Sequence, residues 1–270
     1  MKLYIVADME GIAGVVAPEQ VSCGSGWEYD QARRQFTEEV CAICSGAIEA
    51  GAEEIVVNDF HGNGRNIDLA LLPQQVQLIR GEFRPTSGFD LLDSSFHGLI
   101  LLGAHARSGS RGSILPHTYS SKVQFELFGQ PVGEFDILSF LAGEYKVPTI
   151  LISGDDKTIS QAHTNLPSTA AVMTKYSIGS NSAVCVHPKR VCEMLRTETR
   201  RVVKDIGSIE PPMISPPIQL VFRVVEPRLA ERLDWIPRVK RLDGTTFEFI
   251  GETMSEIARL AYGIAELTAS

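Results

Sequence analysis

The strongest constraint on how this chain can fold is an alternation of apolar runs near its start. Residues 3–7 (LYIVA) are apolar, 29–51 are amphipathic with a helical period, and 54–58 (EIVVN) are apolar again. That order reads as strand, helix, strand, with Gly51 where a helix end favours a left-handed residue. Further strands are expected at 99–103 (LILLG) and 148–154 (PTILISG), the second preceded by a helix from about Glu134 to Lys146. Runs that are apolar on both faces belong in a mostly parallel sheet covered by helices, so an α/β fold is expected.

After Gly154 the texture changes. A helix is expected at 155–165, a strand at 171–177, and a long helix in which Pro188 occupies the first turn. A proline-rich crossing, SIEPPMISPPIQL, leads to a strand at 218–225, a short helix, a hairpin turning at Asp243-Gly244 and a last amphipathic helix at about 252–268. These features suggest a metal-binding catalytic α/β domain over 1–165 and a smaller C-terminal α+β domain over 166–270.

Composition narrows the function classes. Hydrophobic residues make up 44% of the chain and charged residues 21%, an ordinary globular balance that leaves no reason to expect disorder. With 33 acidic against 25 basic side chains, the net charge is −8, and no basic run supplies the counter-charge that nucleic acid or anionic lipid requires. The N-terminal apolar run stops at Asp8, too short for a signal-peptide core, and nothing approaches the roughly 20 apolar residues of a membrane span. A cytoplasmic protein is expected. Five scattered cysteines (Cys23, Cys41, Cys44, Cys185, Cys192) do not form a disulfide framework. The Cys41–Cys44 pair lies in a helix without a second ligand pair, so these thiols are expected to pack as small apolar residues.

The chemistry gathers just beyond the expected strands, because ligands in open parallel sheets collect at the carboxyl ends of strands. The first strand runs into Asp8 and Glu10, the second into Asp59 and His61, and 99–103 into His105. Any one of these could be an ordinary cap or solvated side chain. Together, two carboxylates and two imidazoles arriving at one sheet edge suit Zn2+ or a similar divalent ion, and a further carboxylate would allow two ions with a bridging ligand. Asp59, Asp155 and Asp156 are candidates for orienting metal-bound imidazoles, or are plain caps. His97, His163 and His187 read as structural. The glycines of GNGRNI (62–67) lack both a third glycine and any phosphate-loop lysine, so a nucleotide site is not expected. The loop RSGSRGS (107–113) suits a mobile wall beside the cluster.

The blocks KLYIVADMEGIAG, EIVVNDFHG, LLGAHARSG, PVGEFDI and ISGDDK, in this order and with NSAV at 181–184 after them, resemble the D-aminopeptidase family, peptidase family M55. The likeness spans most of the chain. It implies metal ligands at Asp8, Glu10, His61, His105 and Glu134, holding two Zn2+ per chain, and a catalytic His at His117. It also implies short peptide substrates with an N-terminal D-residue, cleaved at the first bond, and a ring-like homo-oligomer enclosing the sites. Glu134 comes from the resemblance alone, since an acid in the first turn of a helix needs no reason beyond the macrodipole. His117 is implied as nucleophile; on physical grounds a proton-shuttle or oxyanion role is preferred, since imidazole is a modest nucleophile toward an amide. Another binuclear metallohydrolase, an amidase or phosphoesterase, and a non-catalytic peptide-binding protein remain as alternatives.

Overall fold

The computed structural model describes residues 1–82, 84 and 89–269. The first half of the chain gives β1 (Lys2–Ala7), α1 (Trp27–Glu49), β2 (Glu54–Asp59), β3 (Val76–Ile79), β4 (Gly98–Ala104), β5 (Val123–Leu127), β6 (Gln130–Val132), α2 (Glu134–Glu144), β7 (Thr149–Asp155) and α3 (Asp156–Asn165). The second gives β8 (Ala170–Gly179), β9 (Ser182–Cys185), α4 (Pro188–Lys204), β10 (Ile218–Val224), α5 (Pro227–Leu233), β11 (Lys240–Arg241), β12 (Thr246–Gly251) and α6 (Met254–Ala269). A seven-stranded sheet runs β3-β2-β1-β4-β7-β8-β9, parallel except for the final β8–β9 hairpin. A second, antiparallel sheet runs β11-β12-β10-β5-β6.

Alternation along β1 explains how both faces are buried. Leu3, Ile5 and Ala7 point to one side, where Phe36, Val40 and Ile43 of α1 and Val191 and Leu195 of α4 complete a core. Tyr4 and Val6 point to the other, into a core shared with Phe135 and Leu138 of α2 and with Phe222 and Phe247 of the antiparallel sheet. A strand buried on both faces must be apolar throughout, as β1 is.

The α/β architecture matches expectation, but the division near residue 165 does not follow the sheets. β8 and β9 continue the parallel sheet from beyond that point, and β5 and β6, from well before it, pair within the antiparallel sheet. The two layers are therefore interleaved in sequence, since backbone pairing and not chain order decides which segments share a core. Among the described residues no helix is long and apolar enough to cross a membrane.

Register brings the ends of β1 and β2 level beside β4. Ala7 pairs with Asp59 on one side and with Leu102 on the other, so Asp8 and Phe60 leave the sheet together while β4 runs on through Gly103 to Ala104. The backbone there is packed more closely than side chains allow. Gly11 donates its N–H to the Gly103 carbonyl at 2.7 Å. A Cβ on Gly11 would fall 2.1 Å from the Ala104 oxygen, and one on Gly103, at φ +69°, would fall 2.0 Å from the Asp8 oxygen. Glycine at both positions is what lets the loop after β1 touch the end of β4.

Candidate metal centre

Five side chains named by the sequence converge at this edge. Asp8 and Glu10 follow β1, His61 follows β2, His105 follows β4, and Glu134 opens α2. His61 Nδ1 lies 2.9 Å from Asp8 Oδ1 and 3.1 Å from Glu10 Oε2. His105 Nε2 lies 3.4 Å from Asp8 Oδ2 and 3.3 Å from Glu134 Oε1. Asp8 thus stands between the two imidazoles, one oxygen toward each. Nitrogen and oxygen donors about 2.0–2.2 Å from a tetrahedral zinc sit roughly 3.3–3.6 Å from one another; the His105 spacings fall at that edge length and the His61 spacings just below it. Asp8, Glu10 and His105 form one group able to hold a cation, and His105, His117 and Glu134 form a second.

The imidazoles are oriented by main-chain carbonyls. His61 Nε2 meets the Val21 oxygen at 2.7 Å, His105 Nδ1 meets the Ala106 oxygen at 3.1 Å, and His117 Nδ1 meets the Leu115 oxygen at 2.9 Å. A carbonyl only accepts, so each of these nitrogens carries the proton and each ring turns its other nitrogen to the cluster. The carboxylates considered for this task do something else. Asp59 accepts N–H groups from Asn66 and Ile67, and Asn66 in turn donates to the His61 carbonyl at 2.7 Å, so Asp59 shapes the turn that carries His61. Asp155 caps α3 through Thr158 and accepts the Ile114 N–H at 2.8 Å, which anchors the loop before His117. Asp156 accepts the Ser177 N–H. His187 caps α4, His97 accepts the Lys2 N–H, and His163 lies near the Thr169 carbonyl, all structural as expected.

Electrostatics mark the cluster as a place that lacks positive charge. Burial, then the neighbouring Glu10, pushes Asp8 up to about 7. Burial opposes charge on His105, yet Glu134 overrides it and raises the imidazole to about 10. His61 is likewise carried well above its ordinary value by Glu10 and Asp8 against the effect of burial. Protons and metal ions therefore compete for the same donor atoms. His117 behaves differently: burial and then the adjacent His105 hold it below its ordinary value, so it stays neutral. Its ring stacks on His105 with centroids 3.9 Å apart, and its Nε2 lies 3.9 Å from Glu134 Oε1, beyond the donor spacing of the other residues.

His117 is held by strained backbone. Leu115 and Tyr119, either side of it, adopt φ of +45° and +57°. Such conformations cost about 1–3 kcal/mol each and persist only where surroundings impose them. Here the Glu134 carboxylate accepts the Tyr119 N–H and Leu115 donates to the Ser180 carbonyl at 3.2 Å.

A cavity of about 210 Å3 opens over the cluster, walled also by Phe60, Tyr119, Tyr262 and Glu266. Tyr262 and Glu266 belong to α6, a contribution that the sequence, with its chemistry placed before residue 165, did not indicate. All five cysteines are free and none lies in the cluster.

Comparison with known proteins points the same way. Residues 1–262 match the family described as D-aminopeptidase, Peptidase_M55. A D-aminopeptidase of Bacillus subtilis (strain 168) is 29% identical over 272 residues, covering 99% of this chain and 97% of that protein. The solved structure described as the Zn-dependent D-aminopeptidase DppA from Bacillus subtilis, a self-compartmentalizing protease, has a TM-score of 0.94 at 28% identity, covering 99% of this chain and 97% of that one.

The carboxylates beside His61 and His105 favour their protonated forms, so a metal ion held by these rings would have to displace those protons. Raised pKa values mean the protonated form competes below them, so apparent zinc affinity should rise with pH, about tenfold per unit for each proton displaced. Competition against a chelator between pH 6 and 8 checks this, and a flat profile would contradict it. In the same assay His61→Ala should lose metal and His163→Ala should not.

Proposed function

Because the chain belongs to the D-aminopeptidase family, we infer that it is a zinc-dependent aminopeptidase hydrolysing the first peptide bond of short peptides that begin with a D-residue. The observation that carries this reading is the convergence of Asp8, Glu10, His61, His105 and Glu134, with donor spacings of 2.9 to 3.4 Å, in a buried cleft. All five are hard or borderline donors and none is a thiolate, a set suited to catalytic zinc.

The reading includes two ions per chain. Glu10 and His61 would hold one, His105 and Glu134 the other, and Asp8, with an oxygen toward each imidazole, would be placed to serve both. Zinc held there would supply Lewis acidity, polarising a peptide carbonyl and bringing the pKa of water to about 7. His117 supplies the proton transfers. It is neutral, its Nδ1–H is tied to the Leu115 carbonyl, and its Nε2 lone pair faces the cluster, free to take a proton from the attacking water and return it to the leaving amine. The stack on His105 and the left-handed residues on either side keep that nitrogen in place.

Substrate size and charge are set by the walls. A cavity of about 210 Å3 is smaller than the roughly 300–1,000 Å3 of most ligand pockets and fits one terminal residue with its bond, not a running chain. Glu10, Glu134 and Glu266 offer acceptors to a free α-amine. Among the described residues no Lys or Arg lines the cavity, which disfavours a phosphoester in place of a peptide.

A ring-like homo-oligomer is part of the same proposal. The β8–β9 hairpin at the sheet edge exposes Tyr176, Ile178 and Val184, an apolar edge suited to contact with another copy. Its site of action is taken as the cytoplasm, in keeping with five unpaired thiols.

Comparing kcat/KM for a D-Ala peptide, its L-Ala counterpart and its N-acetylated form checks the substrate. The D-peptide should be cleaved fastest and the acetylated form not at all. Equal rates for the enantiomers, or hydrolysis of the blocked peptide, would contradict the assignment. His117→Ala should keep its full zinc content and lose about 10²–10⁴-fold in kcat; zinc lost in parallel with activity would make His117 a ligand instead.

A further inference from the structure

Beneath the metal cluster lies a cation that the proposed reaction does not use. Lys175, near the middle of β8, is fully buried. Its ammonium donates to three main-chain carbonyls, those of Glu10 at 2.5 Å, Ile12 at 2.8 Å and Val15 at 2.6 Å. An ammonium has three donors, and here all three end on one short loop. The neighbouring Thr174 hydroxyl donates to the Gly11 carbonyl at 2.6 Å, with a second contact to the Gly154 carbonyl at 3.1 Å. From the other side of the loop, buried Glu39 accepts the Ala13 N–H at 2.9 Å. Residues 10–15 are therefore gripped on both sides, by donors on β8 and an acceptor on α1.

This grip falls on the residue that most needs it. Unlike His61 and His105, whose rings are fixed by their own hydrogen bonds, Glu10 lies three positions past the strand and depends on loop conformation for its aim. With Lys175 on the Glu10 carbonyl, Thr174 on the Gly11 carbonyl and Gly103 accepting the Gly11 N–H, the peptide planes after Glu10 cannot turn. Only side-chain torsions remain to the carboxylate. Three carbonyls aimed at one buried point would be left unpaired without the ammonium, so a neutral side chain at 175 would release the loop and not merely loosen it.

We propose that Lys175 and Thr174 form a positioning pair that sets the Glu10 carboxylate for metal binding by clamping the main chain of residues 10–15 onto β8. The proposal rests on the reading of Glu10 as a metal ligand and adds the groups that hold it. Neither residue touches substrate or the ions.

The test is equilibrium competition between the zinc-loaded full-length chain and a chromogenic chelator, with thermal unfolding of the same samples. Partners that orient metal ligands typically contribute about 10–100-fold to metal affinity. Lys175→Met and Thr174→Val should each weaken zinc binding by about that range, in variants that remain folded, with the zinc bound through Glu10 released first. Thr174→Val removes one hydroxyl at nearly constant volume and keeps the proposal testable if Lys175→Met does not fold. Wild-type zinc affinity in folded Thr174→Val or Lys175→Met would overturn the proposal, even with a lowered melting temperature, because that pattern belongs to a purely structural role. Glu10→Gln separates the two levels. If it leaves zinc binding intact, the ligand reading fails; if it weakens binding while the β8 variants do not, only the positioning proposal fails.

Discussion

The carboxylate of Asp8, with one oxygen 2.9 Å from His61 and the other 3.4 Å from His105, is the contact on which the centre depends. It exists because β1 and β2 end at the same level beside β4 and because glycine replaces side chains where the loop after β1 meets the end of β4. Three buried carboxylates gathered around two imidazoles are costly to desolvate, and Asp8 and Glu10 repel each other. Protons offset this when metal is not bound, as the raised values of Asp8, His61 and His105 record. Divalent ions would offset it better, since they supply more positive charge to the same oxygens and nitrogens, and metal binding there would stabilise the fold.

Much of this was legible in the sequence because parallel sheets impose a rule on where chemistry collects. Asp8, Glu10, His61 and His105 each come after an apolar strand run, and the runs were plain. Glu134 was not, since an acid at the start of α2 serves the helix dipole equally well, and family likeness alone singled it out. Lys175 was invisible for a different reason. A lysine in a strand reads as solvent-facing, and its burial is made tolerable by carbonyls contributed more than 150 positions earlier in the chain. The same applies to Tyr262 and Glu266, which look like the polar positions of an ordinary amphipathic helix until α6 packs over the site. The division placed near residue 165 departs from the sheets because the β5–β6 hairpin, short and only modestly apolar, gave no sign that β5 would pair with β10, almost a hundred residues later.

On the proposed reading, binding and proton transfer fall to different parts of the fold. The proposed metal ligands stand at strand and helix ends. His117 sits on a loop between two left-handed residues, anchored through Ile114 to Asp155 and through Tyr119 to Glu134. Glu134 thus connects the two functions, as it faces His105 with the same oxygen that accepts the Tyr119 N–H and lies nearest His117. The acid-lined cavity above is small, and its outer wall comes from the last helix, so the end of the chain bears on what enters.

X-ray absorption at the zinc edge of the purified protein tests, without reference to activity, whether two zinc ions share Asp8. Two zinc per chain are expected, with only nitrogen and oxygen neighbours at about 2.0–2.2 Å and a zinc–zinc scattering path at roughly 3.5–4 Å. A single zinc per chain without that path, or a shell containing sulfur, would contradict that expectation.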